Sequence, residues 1–160
     1  MSDLELLYSD LKTLLATVTG NKYVALWNNQ FERERENVSF LFPCTLIQFV
    51  PKEFSDLLNG VQKYDIEVVI HCGFKSFKTD DKAILAFKQE VYKKLHRFQA
   101  GTFSMMLRRG EAEDFDHDDI QDYQQIYSCT GTDHNKDTRP TVQATLTDDL
   151  TKSIQKPDTI

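Results

Sequence analysis

The chain has 160 residues, 40% of them hydrophobic and 28% charged, with a formal net charge of −6. This length and mix support one domain whose core removes roughly 70% of the unfolded surface from water, and they exclude a wholly disordered chain. The acidic balance argues against a protein that coats nucleic acid, which needs a basic stripe, yet it suits one past which DNA slides without sticking.

The start, MSDLELLYSD, lacks the basic and apolar run of a signal peptide. No apolar stretch approaches the roughly 18 residues needed to cross a bilayer, so no membrane partner is expected. Three cysteines, Cys44, Cys72 and Cys129, are widely spaced and odd in number. They read as reduced, buried thiols of a cytosolic protein.

Ser2 and Glu5 fit a capping box, and Leu4, Leu7, Tyr8, Leu11, Leu14, Leu15 and Val18 follow at helical spacing. The first helix is predicted at about 3–18, with Gly20 as its C-terminal glycine. KYVALW (22–27) is a short strand, and 28–38 is a charged loop or hairpin excursion. SFLFPCTLIQFV (39–50) is rich in strand formers, and Pro43 belongs at an edge or bulge because it cannot donate to a ladder. PKEFSDLLNG (51–60) reads as a connection with a helical turn.

VQKYDIEVVIHCGF (61–74) alternates with period two. Tyr64, Ile66, Val68, Ile70, Cys72 and Phe74 form a dry face, and Lys63, Asp65, Glu67, Val69 and His71 a polar one. After the polar loop 75–82, Thr79, Asp80 or Asp81 can cap an amphipathic helix at about 81–98, with Ile84, Phe87, Val91, Leu95 and Phe98 on its apolar stripe. TFSMMLRR (102–109) is predicted as a strand with Phe103, Met105 and Leu107 on one side, and 110–119 as an acidic loop. IQDYQQIYSCTG (120–131) alternates as a last strand. The chain from Thr132 on is polar, without a period, and reads as an extended tail.

The expected fold is therefore α+β: a mostly antiparallel sheet of about five strands in the order α-β-β-β-α-β-β, with both helices on one face over Tyr64, Ile66, Val68, Ile70 and Phe74. Residues 1–131 form the domain and 132–160 the tail. At about 3.3 Å per residue, strand 61–74 spans roughly 45 Å, longer than ordinary strands, so it should project beyond the domain. Its polar face, with Val69 among Asp65, Glu67 and His71, is either a plain wet sheet face or a subunit contact.

Catalytic and metal motifs are sparse. DFDHDD (114–119) fails as a calcium loop, because Asp119 stands where the turn glycine should and Gln125 where the bidentate glutamate should. A solvated acidic turn is the simpler reading. His71, His96, His117 and His134 contain no i, i+4 pair for zinc. There is no glycine-rich phosphate loop, nucleophile elbow or Cys-x-x-Cys. No cofactor is expected.

The element order, together with GNKYVALW (20–27), TLIQFV, the alternating 61–74 strand, VYKKLHRFQ (91–99) and EDFDHDDIQDYQQIYSC, resembles the tail terminator (tail completion) proteins of long-tailed bacteriophages, over about residues 1–131. The loop 28–38 is more charged than in that family, and 132–160 has no counterpart in it. The resemblance implies a non-enzymatic virion protein that forms a ring, usually hexameric, closing the tail tube and joining it to the head connector. It would assemble in the host cytoplasm. Its partners would be its own copies, the tail tube protein and a neck or connector protein, with DNA passing through the lumen unbound. Asp65, Glu67, Val69, His71, Glu111, Glu113, Asp114, Asp116, Asp118 and Asp119 would line the lumen or meet an adjoining ring, and the tail would wrap a neighbour. The alternatives are a neck adaptor nearer the portal, a small metal-dependent or acid–base enzyme using Asp114, Asp116, His117 and Asp118, and a monomeric binding module.

Overall fold

A computed structural model describes residues 3–31, 41–57, 61–75, 78–117 and 119–133. Seven elements follow one another: α1 (Asp3–Ala16), β1 (Tyr23–Leu26), β2 (Cys44–Asp56), β3 (Gln62–Lys75), α2 (Asp81–Leu95), β4 (Leu107–His117) and β5 (Ile120–Asp133). This is the expected α-β-β-β-α-β-β order. The strands form one sheet in the order β1-β2-β3-β5-β4. Only the β1–β2 pair is parallel, and all other pairs are antiparallel. The proposed cap Ser2, the loop 32–40 and the tail from 134 on lie outside the described residues.

Helical spacing decides what α1 and α2 bury. Leu7, Leu11 and Leu15 of α1 and Ile84, Phe87, Val91 and Leu95 of α2 repeat at three or four residues and point inward. They meet Tyr64, Ile66, Val68, Ile70, Cys72 and Phe74 of β3 in a single core cluster. Burying each such side chain contributes about 1.5–3 kcal/mol. Two buried polar side chains at this interface are paired: the Tyr127 hydroxyl donates to Gln125 Oε1 (2.6 Å), and Gln125 Nε2 donates to the Lys88 carbonyl (2.8 Å), tying β5 to α2. α1 stops at Ala16, earlier than expected, and a turn carries the chain to Gly20, whose φ of +81° suits glycine. Asp80 is the N-cap of α2, but its side chain makes no capping bond.

Beyond shifts of a few residues at element ends, three segments depart from the sequence expectation. Residues 51–56 are neither connection nor helical turn but the second half of β2, paired with β3 down to Gln62. The long alternating β3 offers ladder partners along its whole length, and a register shift between Pro51 and Glu53 accommodates the proline. The acidic stretch is a strand as well, since β4 runs to His117. Backbone pairing with β5 makes it a strand although its side chains show no apolar alternation, and its charges suit an edge. Conversely, 102–106 is a turn rather than the start of that strand. Gly101 takes φ +49°, Phe103 N donates to the Ala100 carbonyl (2.9 Å), and Phe103 and Met106 go inside while Met105 stays out.

Candidate functional site

β3 alternation sends Asp65, Glu67, Val69 and His71 to the face away from the helices, and that face divides in two. At the β2–β3 hairpin end it is open. A shallow groove of ≈ 430 Å³ is lined by Asp65, Glu67, Met105, Leu107, Arg109 and Ser128, among others. Thr130 Oγ1 donates to Asp65 Oδ1 (2.7 Å), Arg109 Nε donates to Ser128 Oγ (2.7 Å), and Lys52 Nζ pairs with Glu67 Oε2 (2.8 Å). Such an exposed pair adds little stability but holds the carboxylate in place.

The other half is closed, which corrects the expectation of a polar face along all of β3. Val69 is 8% exposed and His71 only 3%. Phe31, Cys44, Leu46 and Ile120 form a second small core there, with Ala25, Trp27 and Phe42 packed against it. Trp27 lies flat on the His71 ring, centroids 4.1 Å apart and planes 7° from parallel. His71 Nδ1 donates to Asp122 Oδ2 (2.6 Å), Nε2 lies 3.0 Å from the Gln48 amide oxygen, and Gln124 Nε2 donates to the same Asp122 oxygen (2.9 Å). Asp122 Oδ1 has no hydrogen-bond partner among the described residues. Val69 and His71 are thus internal in the single chain. Trp27, Gln48, Asp122 and Gln124 were not singled out from sequence. The parity of Asp122 in the alternating 120–131 segment was the one available signal, since it falls opposite the Tyr123 and Tyr127 row.

The acidic residues of 111–119 do not join Asp65 and Glu67. Asp114 pairs with Asp122 and Asp65 with Thr130, eight positions apart on β5, which is roughly 27 Å. Glu111 pairs with Arg108 (2.8 Å) and Lys88 (3.3 Å), and Asp114 with His117 (3.2 Å). Glu113, Asp116 and Asp119 are exposed, as is Phe115. Asp118 lies outside the described residues. Burial, with a smaller contribution from Glu113, raises the Tyr123 hydroxyl. Among the described residues, no three His, Cys, Asp or Glu side chains gather as a metal site.

The three cysteines are buried thiols. Burial, seconded by Asp122, pushes the Cys72 thiol well up, and burial with Asp65 pushes Cys129 up to about 11. Both stay protonated near neutrality, a poor state for a nucleophile.

Beyond the groove the second half of β2 continues as an exposed arm along β3, which β5 flanks on its other side down to Gln62. β1 pairs only with Cys44–Ile47, and residues 51–57 are exposed on both faces. Phe54 is 57% exposed while stacking on Tyr64 at 5.7 Å, and Leu57 is exposed beside it. Pro51, Lys52 and the register shift blunt the free edge of this arm against adding a stray strand.

No protein-family model matches the chain. No curated protein does either. Among solved structures, a similar chain comes from the virion of a native gene transfer agent particle: 12% identical, covering 82% of this chain and 92% of that one, with a TM-score of 0.42. That score marks a loose likeness from which no shared role follows. Among the described residues, no helix is long and apolar enough to cross a membrane.

Proposed function

We propose that the chain is a non-enzymatic structural protein of a tailed, phage-like virion. In this reading it forms a ring, of six copies as the family resemblance implies, that ends the tail tube and joins it to the head connector. The exposed β2 arm carries the reading. It leaves Phe54 and Leu57 exposed at the free edge of the sheet, at the cost of ordering residues 51–57, which bury little in the single chain. An apolar, blunted arm is expected where a second molecule covers it.

The element order and the open acidic groove fit the same reading. Copies meet through the arm, Asp65 and Glu67 face DNA or the neighbouring ring, and like charge keeps the passing duplex from sticking. The tube protein would lie on one side of the ring and a neck or connector protein on the other. The virion would be its final location.

The test is the size and shape of the purified chain. Mass photometry and negative-stain microscopy should show a closed ring with a central channel, at several times 18.6 kDa. A species that stays at 18.6 kDa up to the highest soluble concentration refutes the reading and favours a monomeric binding module.

A further inference from the structure

The side of the molecule formed by α2 and β4 is electrically polar along the strand axis. The last turn of α2 carries Lys93 and Lys94, and Arg97 follows it. Arg97 N donates to the Met106 carbonyl (2.7 Å), which sets this basic end beside the start of β4. β4 itself begins LRR and ends EDFDH. Its 11 residues put about 35 Å between the two ends.

Several of these charges are already matched within the chain: Arg108 with Glu111, Asp114 with His117, and Arg109 beside Asp65 and Glu67 in the groove. Among the described residues, Lys93, Lys94 and Arg97 at one end and Glu113, Asp116 and Asp119 at the other have no ion-pair partner. The acidic end also shows an apolar side chain, Phe115, 52% exposed.

We propose that Glu113, Phe115, Asp116 and Asp119 of one copy dock on Lys93, Lys94 and Arg97 of the next. The occupant is a second copy because one chain holds both halves of a complementary pair. A two-fold contact of either end with itself sets like charge against like, whereas a head-to-tail contact sets each end on its opposite. Head-to-tail contacts close into rings when the rotation closes. An apolar anchor ringed by complementary charge is also how hot spots are built. This contact rests on the ring reading and names one surface that would make it.

The experiment uses two charge-reversed variants of the full chain, Lys93→Glu with Arg97→Glu, and Glu113→Lys with Asp116→Lys. Circular dichroism should show both folded, because the replaced side chains are exposed. Each variant alone has like charge at both ends and should need about tenfold or more protein to assemble. Mixed in equal amounts, the two alternate and should assemble again. Raising salt from about 0.1 M to about 1 M should weaken the wild-type assembly. Variants that each assemble at the wild-type concentration, or a mixture that stays apart, overturn this contact while leaving the ring reading intact. A wild-type chain that never assembles overturns both.

Discussion

Adding one methyl group at Gly73 distinguishes a closed second face from an open one by the sign of its effect. An alanine Cβ there would lie 2.5 Å from Phe31 Cζ, 2.8 Å from Cys44 Sγ and 3.0 Å from Phe31 Cε1. No real contact sits that close, so the Phe31 ring and Cys44 must move. Overpacking of this kind costs about 1–3 kcal/mol. Replacing a strand glycine by alanine returns about 0.5–1 kcal/mol through the unfolded chain. The net is a loss of about 1–2 kcal/mol, which for a domain of this size lowers Tm by roughly 3–6 °C. Were the face open at Gly73, only the second contribution would remain and Tm would rise. Gly110→Ala is the control, since nothing lies within 4 Å of its added methyl. It should leave Tm unchanged or slightly higher. Thermal and urea denaturation followed by circular dichroism read both variants, and Phe31→Leu placed on Gly73→Ala should recover part of the loss. A Gly73→Ala chain at or above the wild-type Tm refutes the closed face.

Asp122→Ala removes the carboxylate partner of a buried histidine and should cost about 3 kcal/mol or more, with Asp122→Asn costing less because it keeps the shape; urea midpoints compare them. Lys52→Ala, at an exposed pair with Glu67, should change stability by less than about 1 kcal/mol in the same assay. Phe54→Ser with Leu57→Ser should leave the fold unchanged by circular dichroism yet reduce assembly by mass photometry, and unchanged assembly counts against the arm as a contact. The Cys129 thiol, raised in the folded chain from 9.0 to about 11, binds its proton more tightly folded than unfolded. Stability should therefore be full below pH 9 and fall as pH rises toward 11, with Cys72 acting in the same direction. Urea midpoints across that range, with Cys129→Ala flattening the fall, check the sign.

Much of the fold was legible because its periods are unambiguous. The α1 and α2 stripes and the β3 alternation each specify one apolar face, and two helices plus one long strand leave few ways to bury them together. The misplaced boundaries have a common cause. β4 and the second half of β2 are strands because a neighbour offers a ladder, and a ladder leaves no mark in side-chain hydropathy. The sequence of β4 from Glu111 to Asp116 is as polar as any loop. Met105 and Met106 differ only in which one the turn after Gly101 swings inward, a choice no alternation rule makes.

The candidate surface was legible in the same uneven way. Asp65 and Glu67 stand exposed or half-exposed in the groove, as their parity on β3 predicts. Val69 and His71 share that parity but are buried, His71 because Trp27, some forty residues earlier, lies flat on it.

The amino-acid sequence by itself determined the element types, their order and the face each helix buries, since these follow from periods of 3.6 and 2 within single segments. The tertiary structure alone decided which part of the second face is covered, where the strands end, and that the basic last turn of α2 lies beside the start of β4, away from its acidic end. Those depend on contacts between residues far apart in the chain, whose distances arise only when the sheet is assembled.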